Sequence, residues 1–188
     1  MKAKASMVGR RAKTISGVRA RPVFIPYVNP ARNAPRLRLR SILVPTDFSK
    51  PAAKALGYAT ALAAQSGARL TLLNVVEPIG ATPDFTYSPL VLENEKVTAA
   101  AKEQLRRLIQ QQGIDPRLMA KALVRHGVPF NEITTAAAKL KVDLIVIATH
   151  GYTGLKHVLL GSTAERVVRH APCPVLVVRQ KQREFIAS

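Results

Sequence analysis

Cysteine occurs once, at Cys173, so no disulfide can close within the chain. No Cys-x-x-Cys and no His-x-x-x-His pair is present, and a structural zinc site is not expected. No apolar run approaches the roughly 18 residues that a membrane-spanning helix needs, and the first residues lack the apolar centre of a secretory signal. These absences predict a soluble, cytoplasmic protein without membrane insertion. Acidic residues are missing altogether from positions 1–40, which hold eleven Lys or Arg. The formal charge of +18 therefore divides into +11 there and +7 over the remaining residues.

Residues 1–40 add Pro22, Pro26, Pro30 and Pro35 to their scattered cations and show neither helical nor alternating apolar periodicity. A disordered basic extension is predicted. Its functional reading is an arm that neutralises phosphates on nucleic acid or an anionic membrane face, since clustered cations release counterions. The plainer reading is a solvated tail, because the segment carries no binding motif and few aromatics for stacking. A transit peptide is the third reading, favoured by Arg and the lack of acid but not by amphipathicity.

The remaining residues, 47% hydrophobic and 21% charged over the whole chain, suit one domain with a proper core, over 41–180, ahead of a short tail at 181–188. Short β-branched runs alternate with longer helical patterns, the mark of a parallel sheet covered by helices on both faces. The first strand is Ile42 to Val44, ending at Pro45-Thr46-Asp47. Ser49 caps the next helix, Pro51 fits its first turn, and Gly67 closes it. Leu70 to Val76 is too continuously apolar for a one-faced sheet and reads as a strand buried on both sides. A loop over 78–89, with Phe85 and Tyr87, follows. Leu90 to Gln112 reads as the longest helix, with Val97, Ala101, Leu105 and Leu108 on its apolar face, and Gly113 ends it. Leu118 to Val124, Pro129 to Leu140, Leu144 to Ala148 and Val175 to Val178 complete the pattern as strand, helix, strand and strand. Right-handed crossovers then predict an α/β fold, an open five-stranded parallel sheet of order 3-2-1-4-5, with a ligand crevice where strands 1 and 4 diverge.

The residues leaving the fourth strand carry the most chemistry. Gly151 and Gly154 permit turns, Gly161 permits close approach, and Ser162 with Glu165 reads as an S-x-x-E capping box opening the last helix. Amides exposed at that helix start, at the positive end of its dipole, favour an anion. Thr46 and Asp47 lie across the crevice, where a carboxylate accepts from ribose hydroxyls or an exocyclic amine. An acceptor on one strand tip and an amide nest on the other suit a nucleotide.

Ile42-Leu43-Val44-Pro45-Thr46-Asp47-Phe48-Ser49, Leu72-Leu73-Asn74-Val75, the Thr149-His150-Gly151 to Gly161-Ser162 loop, and Ala171-Pro172-Cys173-Pro174-Val175-Leu176-Val177-Val178 together resemble universal stress proteins. The resemblance covers about three quarters of the chain. It implies an adenine nucleotide alpha hydrolase-like fold. ATP-binding members carry G-x-x-G-x9-G-[ST], whose glycines and hydroxyl hold the phosphates. By position the second glycine is Gly151, the third Gly161 and the hydroxyl residue Ser162, followed by Thr163. The first falls on Ala148, a methyl that either crowds the ligand or is tolerated. The resemblance also implies Pro45, Thr46 and Asp47 at the adenine and ribose side, Val75 at the adenine face, and His150 and Gly154 in the binding loop. It implies ATP, with or without Mg²⁺, as ligand, and a homodimer formed by pairing of Val175 to Val178 with its mate.

Each feature has a plainer counterpart. Ser162 could serve only as a helix cap, and Asp47 could only favour the positive end of the following helix. No Ser-His-Asp or Cys-His relationship can be placed around His150, so catalysis by it is not expected. His126, His157 and His170 read as surface or partly buried residues, and Cys173 as a packing residue. The motif G-x-x-x-x-G-K-[ST] is absent, and at most slow ATP hydrolysis is expected. The sequence thus points to a stress-response or signalling protein that binds ATP and acts as a nucleotide-dependent dimer. Its rivals are a nucleotide-free interaction module of the same family and a nucleic-acid-binding protein acting through residues 1–40.

Overall fold

The computed structural model describes residues 38–77, 89–149, 161–181, 183, 184 and 186. The basic extension up to residue 37, most of the 78–89 loop with Phe85 and Tyr87, and His150, Gly151, Gly154 and His157 lie outside the described residues.

Five strands, β1 (Ser41–Pro45), β2 (Arg69–Val76), β3 (Met119–His126), β4 (Leu144–Ala148) and β5 (Val175–Val178), form one parallel sheet in the order β3-β2-β1-β4-β5. The expected order is the observed one. Among the described residues four α-helices lie in the connections: α1 (Lys50–Ser66), α2 (Pro89–Gln111), α3 (Pro129–Leu140) and α4 (Ser162–His170). Strand alternation sorts the core into two layers. Ile42 and Val44 of β1, Leu70 and Leu72 of β2 and Val146 of β4 pack against Ala55, Leu56 and Ala59 of α1 and Leu105 of α2. Leu43, Leu73, Ile145 and Ile147 face the other way, onto Ile133 and Ala136 of α3 and Val167 of α4. Both layers need apolar side chains, which is why β1 and β4 read as apolar runs and β2 as one interrupted inside the sheet by the buried Thr71 and Asn74.

The boundaries have local causes. Ser49 in extended conformation accepts from the Ala52 amide at 3.3 Å and caps α1, with Pro51 in the first turn. Gly67 ends the helix at φ 72°, a left-handed conformation that costs glycine nothing. Before β3 the structure departs from the expected strand: Pro116–Leu118 is a 3₁₀ turn capped by Asp115, and the strand starts at Met119 and runs on to His126. Proline at the first position and an Asp side chain accepting from the Arg117 amide at 2.9 Å favour a turn over extension there. On α2, Ala101, Leu105 and Leu108 are buried as expected, but Val97 is 40% exposed and does not join the core.

Beyond β5 the chain folds back on α1. Lys54 Nζ donates to the Gln180 carbonyl at 2.9 Å and pairs with Glu184 at 2.7 Å, and Ile186 packs near Gly57. The Lys54 side chain is only 19% exposed, so the fold-back covers most of a cation.

Candidate functional site

Where β1 and β4 part company, their carboxyl ends, the end of β2 and the first turns of α1, α3 and α4 enclose a cavity of about 270 Å³. Parallel topology favours this location, because the crossovers from β1 and β4 lead to helices on opposite faces of the sheet. The expected site residues Pro45, Thr46, Asp47, Val75, Ala148, Gly161, Ser162 and Thr163 all line it. The strand tip and the helix start, far apart in sequence, border one space.

The β1 tip is held rigidly. The buried Thr46 donates its amide to the Leu73 carbonyl at 2.9 Å, and its Oγ1 accepts from the Phe48 amide at 3.1 Å. Asp47 Oδ1 accepts from the Ser49 amide at 3.1 Å. These bonds hold Phe48 at φ 65°, left-handed backbone that costs a side-chain-bearing residue about 1–2 kcal/mol. Strain of this kind persists where the surroundings fix a functional turn. Asp47 sits at that turn, half-buried and with its second oxygen unused among the described residues.

Asn74, buried in β2, donates its Nδ2 to the Thr46 carbonyl at 2.8 Å. The sequence placed it in a strand without a role; the structure makes it the brace of the β1 tip. Asn74→Ala leaves that carbonyl without its partner, and the expected loss is about 1–3 kcal/mol of stability in urea denaturation. A loss below about 0.5 kcal/mol, the range of a surface substitution, would show the brace to be dispensable.

The start of α4 corrects the capping-box expectation. Gly161, extended at φ −65° and ψ 151°, is the cap, and no side chain bonds to it. The Glu165 amide donates to the Gly161 carbonyl at 2.9 Å, so the helix begins one residue earlier than the box requires. Ser162 is the first helical residue, and the Glu165 carboxylate turns away to Arg169 at 2.9 Å. The Ser162 hydroxyl is therefore not spent on capping. The first amides of the helix have no carbonyl of their own helix to meet, and they point where an anion is favoured.

Ala148 is the last residue of β4, in register with Val178 and 8% exposed. Its φ is not positive. Glycine's torsional freedom is thus not needed at this position, and its methyl packs into the α1-side core while the residue borders the cavity.

Several wall residues went unnoticed in the sequence: Ala52, Leu73, Glu77, Pro129, Ile133 and Ile147. Glu77 was the legible one, since it lies two residues beyond Val75 and strand alternation puts both on one side. Leu73, Val75, Ile133 and Ile147 make one wall apolar, and Asp47 and Glu77 supply carboxylates at the β1 and β2 ends. Outside the cavity, His126 Nε2 lies 2.7 Å from Thr98 Oγ1 and His170 Nδ1 lies 2.8 Å from the Arg166 carbonyl. Cys173 packs beside the α3 and α4 layer; burial, then the Asp143 charge, push its thiol above the ordinary range, as suits a packing residue. Among the described residues no group of three or more His, Cys, Asp or Glu could hold a metal ion, and no helix is long and apolar enough to cross a membrane.

The family profile of the Universal stress protein family matches residues 38–179. Universal stress protein MJ0531 of Methanocaldococcus jannaschii is 36% identical over 148 residues, 77% of this chain and 85% of its own length. MJ0577 of the same organism is 33% identical over 156 residues, covering 76% and 96%. Its solved structure superposes with a TM-score of 0.67 at 30% identity, over 78% of this chain and all of that one. A universal stress protein solved in complex with cAMP shares the fold at 22% identity and a TM-score of 0.59, over 77% of this chain and all of that one. The chain belongs to the universal stress protein family.

Proposed function

We propose that this chain is a cytoplasmic stress-response or signalling protein that binds ATP in the cavity and works as a nucleotide-dependent homodimer. The observation that carries the reading is that Asp47 and an uncommitted Ser162 hydroxyl border the same cavity. The apolar wall suits a base, Asp47 suits ribose hydroxyls or an amine, and the α4 start suits phosphates. Glu77 and Asp47 would repel phosphates at the strand end, which favours the triphosphate on the α4 side with any Mg²⁺ carried in by the ligand. A protein of this fold solved with cAMP supports an adenine nucleotide as the ligand class.

Titration calorimetry with ATP, ADP and AMP tests this. Saturable binding that is tightest for ATP and weakened at least about tenfold by Asp47→Ala is expected, the scale of one missing hydrogen bond to a charged group. No binding of any of the three would leave the nucleotide-free interaction module as the reading.

The dimer has a physical motive. β5 is an edge strand of the described sheet, with its Val175, Leu176 and Val177 side chains only partly buried and, among the described residues, no strand paired to its outer side. Two-fold pairing with a second copy would satisfy the backbone groups on that side. Light scattering at micromolar concentration is expected to give twice the chain mass, and replacing Leu176 with proline, which removes the backbone donor, to shift it towards the single-chain value. A single-chain mass for the unaltered protein would remove the dimer from the reading.

A further inference from the structure

We propose that the end of the sheet at which the strands begin, opposite the cavity, binds the phosphate backbone of a nucleic-acid duplex. The domain itself carries this surface, apart from the basic residues 1–37. Lys141, Arg40, Arg69 and Arg117 stand at or just before the starts of β4, β1, β2 and β3, which are successive neighbours in the sheet. The bonding fixes their order. The Asp143 amide donates to the Ser41 carbonyl at 2.9 Å, the Arg69 amide to the Arg40 carbonyl at 2.8 Å, and Arg69 Nη2 to the Met119 carbonyl at 2.7 Å. Neighbouring strands lie about 4.8 Å apart, so the row runs for about 14 Å. That is the axial length of about four phosphates of one strand, spaced about 3.4 Å.

Arg38 and Lys139 each lie two residues before a member of the row, Arg40 and Lys141, and all six cations are exposed. The same segments hold two carboxylates, and both are engaged. Asp115 is tied to Arg117 at 2.6 Å, and Asp143 Oδ2 accepts from the amides of Arg40 and Ser41 at 2.8 and 2.9 Å. Arg38, Arg40, Lys139 and Lys141 make no side-chain hydrogen bond or ion pair among the described residues. Balancing a helix dipole accounts for Lys139, in the last turn of α3, but not for Arg38 and Arg40, which belong to no helix. Arg38, Arg40 and Lys141 are left facing water, their charge only partly offset by the Asp143 carboxylate, and a polyanion relieves the remaining repulsion.

The chemistry of the face selects the occupant. Its segments, 38–41, 69, 115–121 and 139–143, contain no Phe, Tyr or Trp on which unpaired bases could stack. Among the described residues the exposed large hydrophobic ones, Val97, Val128 and Val168, lie elsewhere, so these segments offer no apolar wedge to a bilayer. A line of cations without either feature reads charge spacing alone, which is sequence-independent backbone binding.

The test compares three full-length proteins: the unaltered chain, a face variant (Arg38, Arg40, Lys139 and Lys141 each to Gln) and a control with the same charge change elsewhere (Lys96, Lys102, Lys181 and Arg183 each to Gln). Residues 1–37 are identical in all three, so their contribution cancels. Fluorescence anisotropy is read against labelled 20-base-pair DNA and RNA duplexes from about 50 to 200 mM salt. The unaltered chain and the control are expected to bind alike. The face variant is expected to bind at least about tenfold more weakly at 100 mM salt, with a log-log salt slope smaller by about two to four, near 0.9 for each phosphate no longer neutralised. Equal weakening of face variant and control, no duplex binding by the unaltered chain, or tighter binding to phosphatidylserine vesicles than to duplex would each overturn the proposal.

Discussion

Ser162→Ala is expected to weaken ATP binding about 10- to 100-fold while adenosine binding and the melting temperature stay nearly unchanged. A hydroxyl donating to a phosphate is a hydrogen bond to a charged group, worth about 1.5–3 kcal/mol, which is that range in affinity. The two explanations of this residue separate cleanly because Ser162 sits at the first helical position while Gly161 holds the cap. Loss of a capping hydroxyl would cost about 1 kcal/mol of stability, whereas alanine at a first-turn position is harmless. Calorimetry with both ligands and a thermal melt decide the matter together. Equal losses for ATP and adenosine would remove the hydroxyl from any phosphate role.

Leu72→Ala is expected to cost about 2–5 kcal/mol, a large share of the roughly 5–15 kcal/mol that holds a domain of this kind together. Leu72 is fully buried in β2, between β1 and β3, and packs in the layer under α1 and α2. Its removal leaves a cavity that neighbours locked in a five-stranded sheet cannot close. Val97→Ala is the internal contrast: its side chain is 40% exposed, and a change within about 0.5 kcal/mol is expected. Urea midpoints with unchanged slopes would measure both. A Leu72 loss no larger than that of Val97 would show that the layer is not the source of stability.

The sheet was legible because burial on both sides leaves a strong imprint. β4 and β5 are apolar throughout, β1 is apolar after Ser41, and β2 is apolar but for Arg69, Thr71 and Asn74. β3 was harder to bound, since three of its first four residues are exposed and the 3₁₀ turn ahead of it shares Leu118 with the expected strand. Val97 shows the limit of periodicity: helical spacing identifies a face but not where that face runs past the sheet. The misplaced cap has a similar origin. Ser-x-x-Glu makes its two reciprocal bonds only when the serine is the cap, and Gly161 takes that position through backbone geometry that composition does not record. Asp47 was found from the strand tip it follows and Ser162 from the helix start it occupies, whereas Pro129, Ile133 and Ala52 come from helices whose closeness to the crevice depends on how the layers pack.

The fold-back after β5 bears on how the protein can be handled. Ending the chain at Arg179, the natural choice if only the matched region is wanted, would strip Lys54 of the Gln180 carbonyl and the Glu184 carboxylate together. The ammonium would exchange both acceptors for water, and the face of α1 on which Ile186 packs would be uncovered with it. A fusion partner is therefore better joined after Ser188, where the amino group keeps both acceptors.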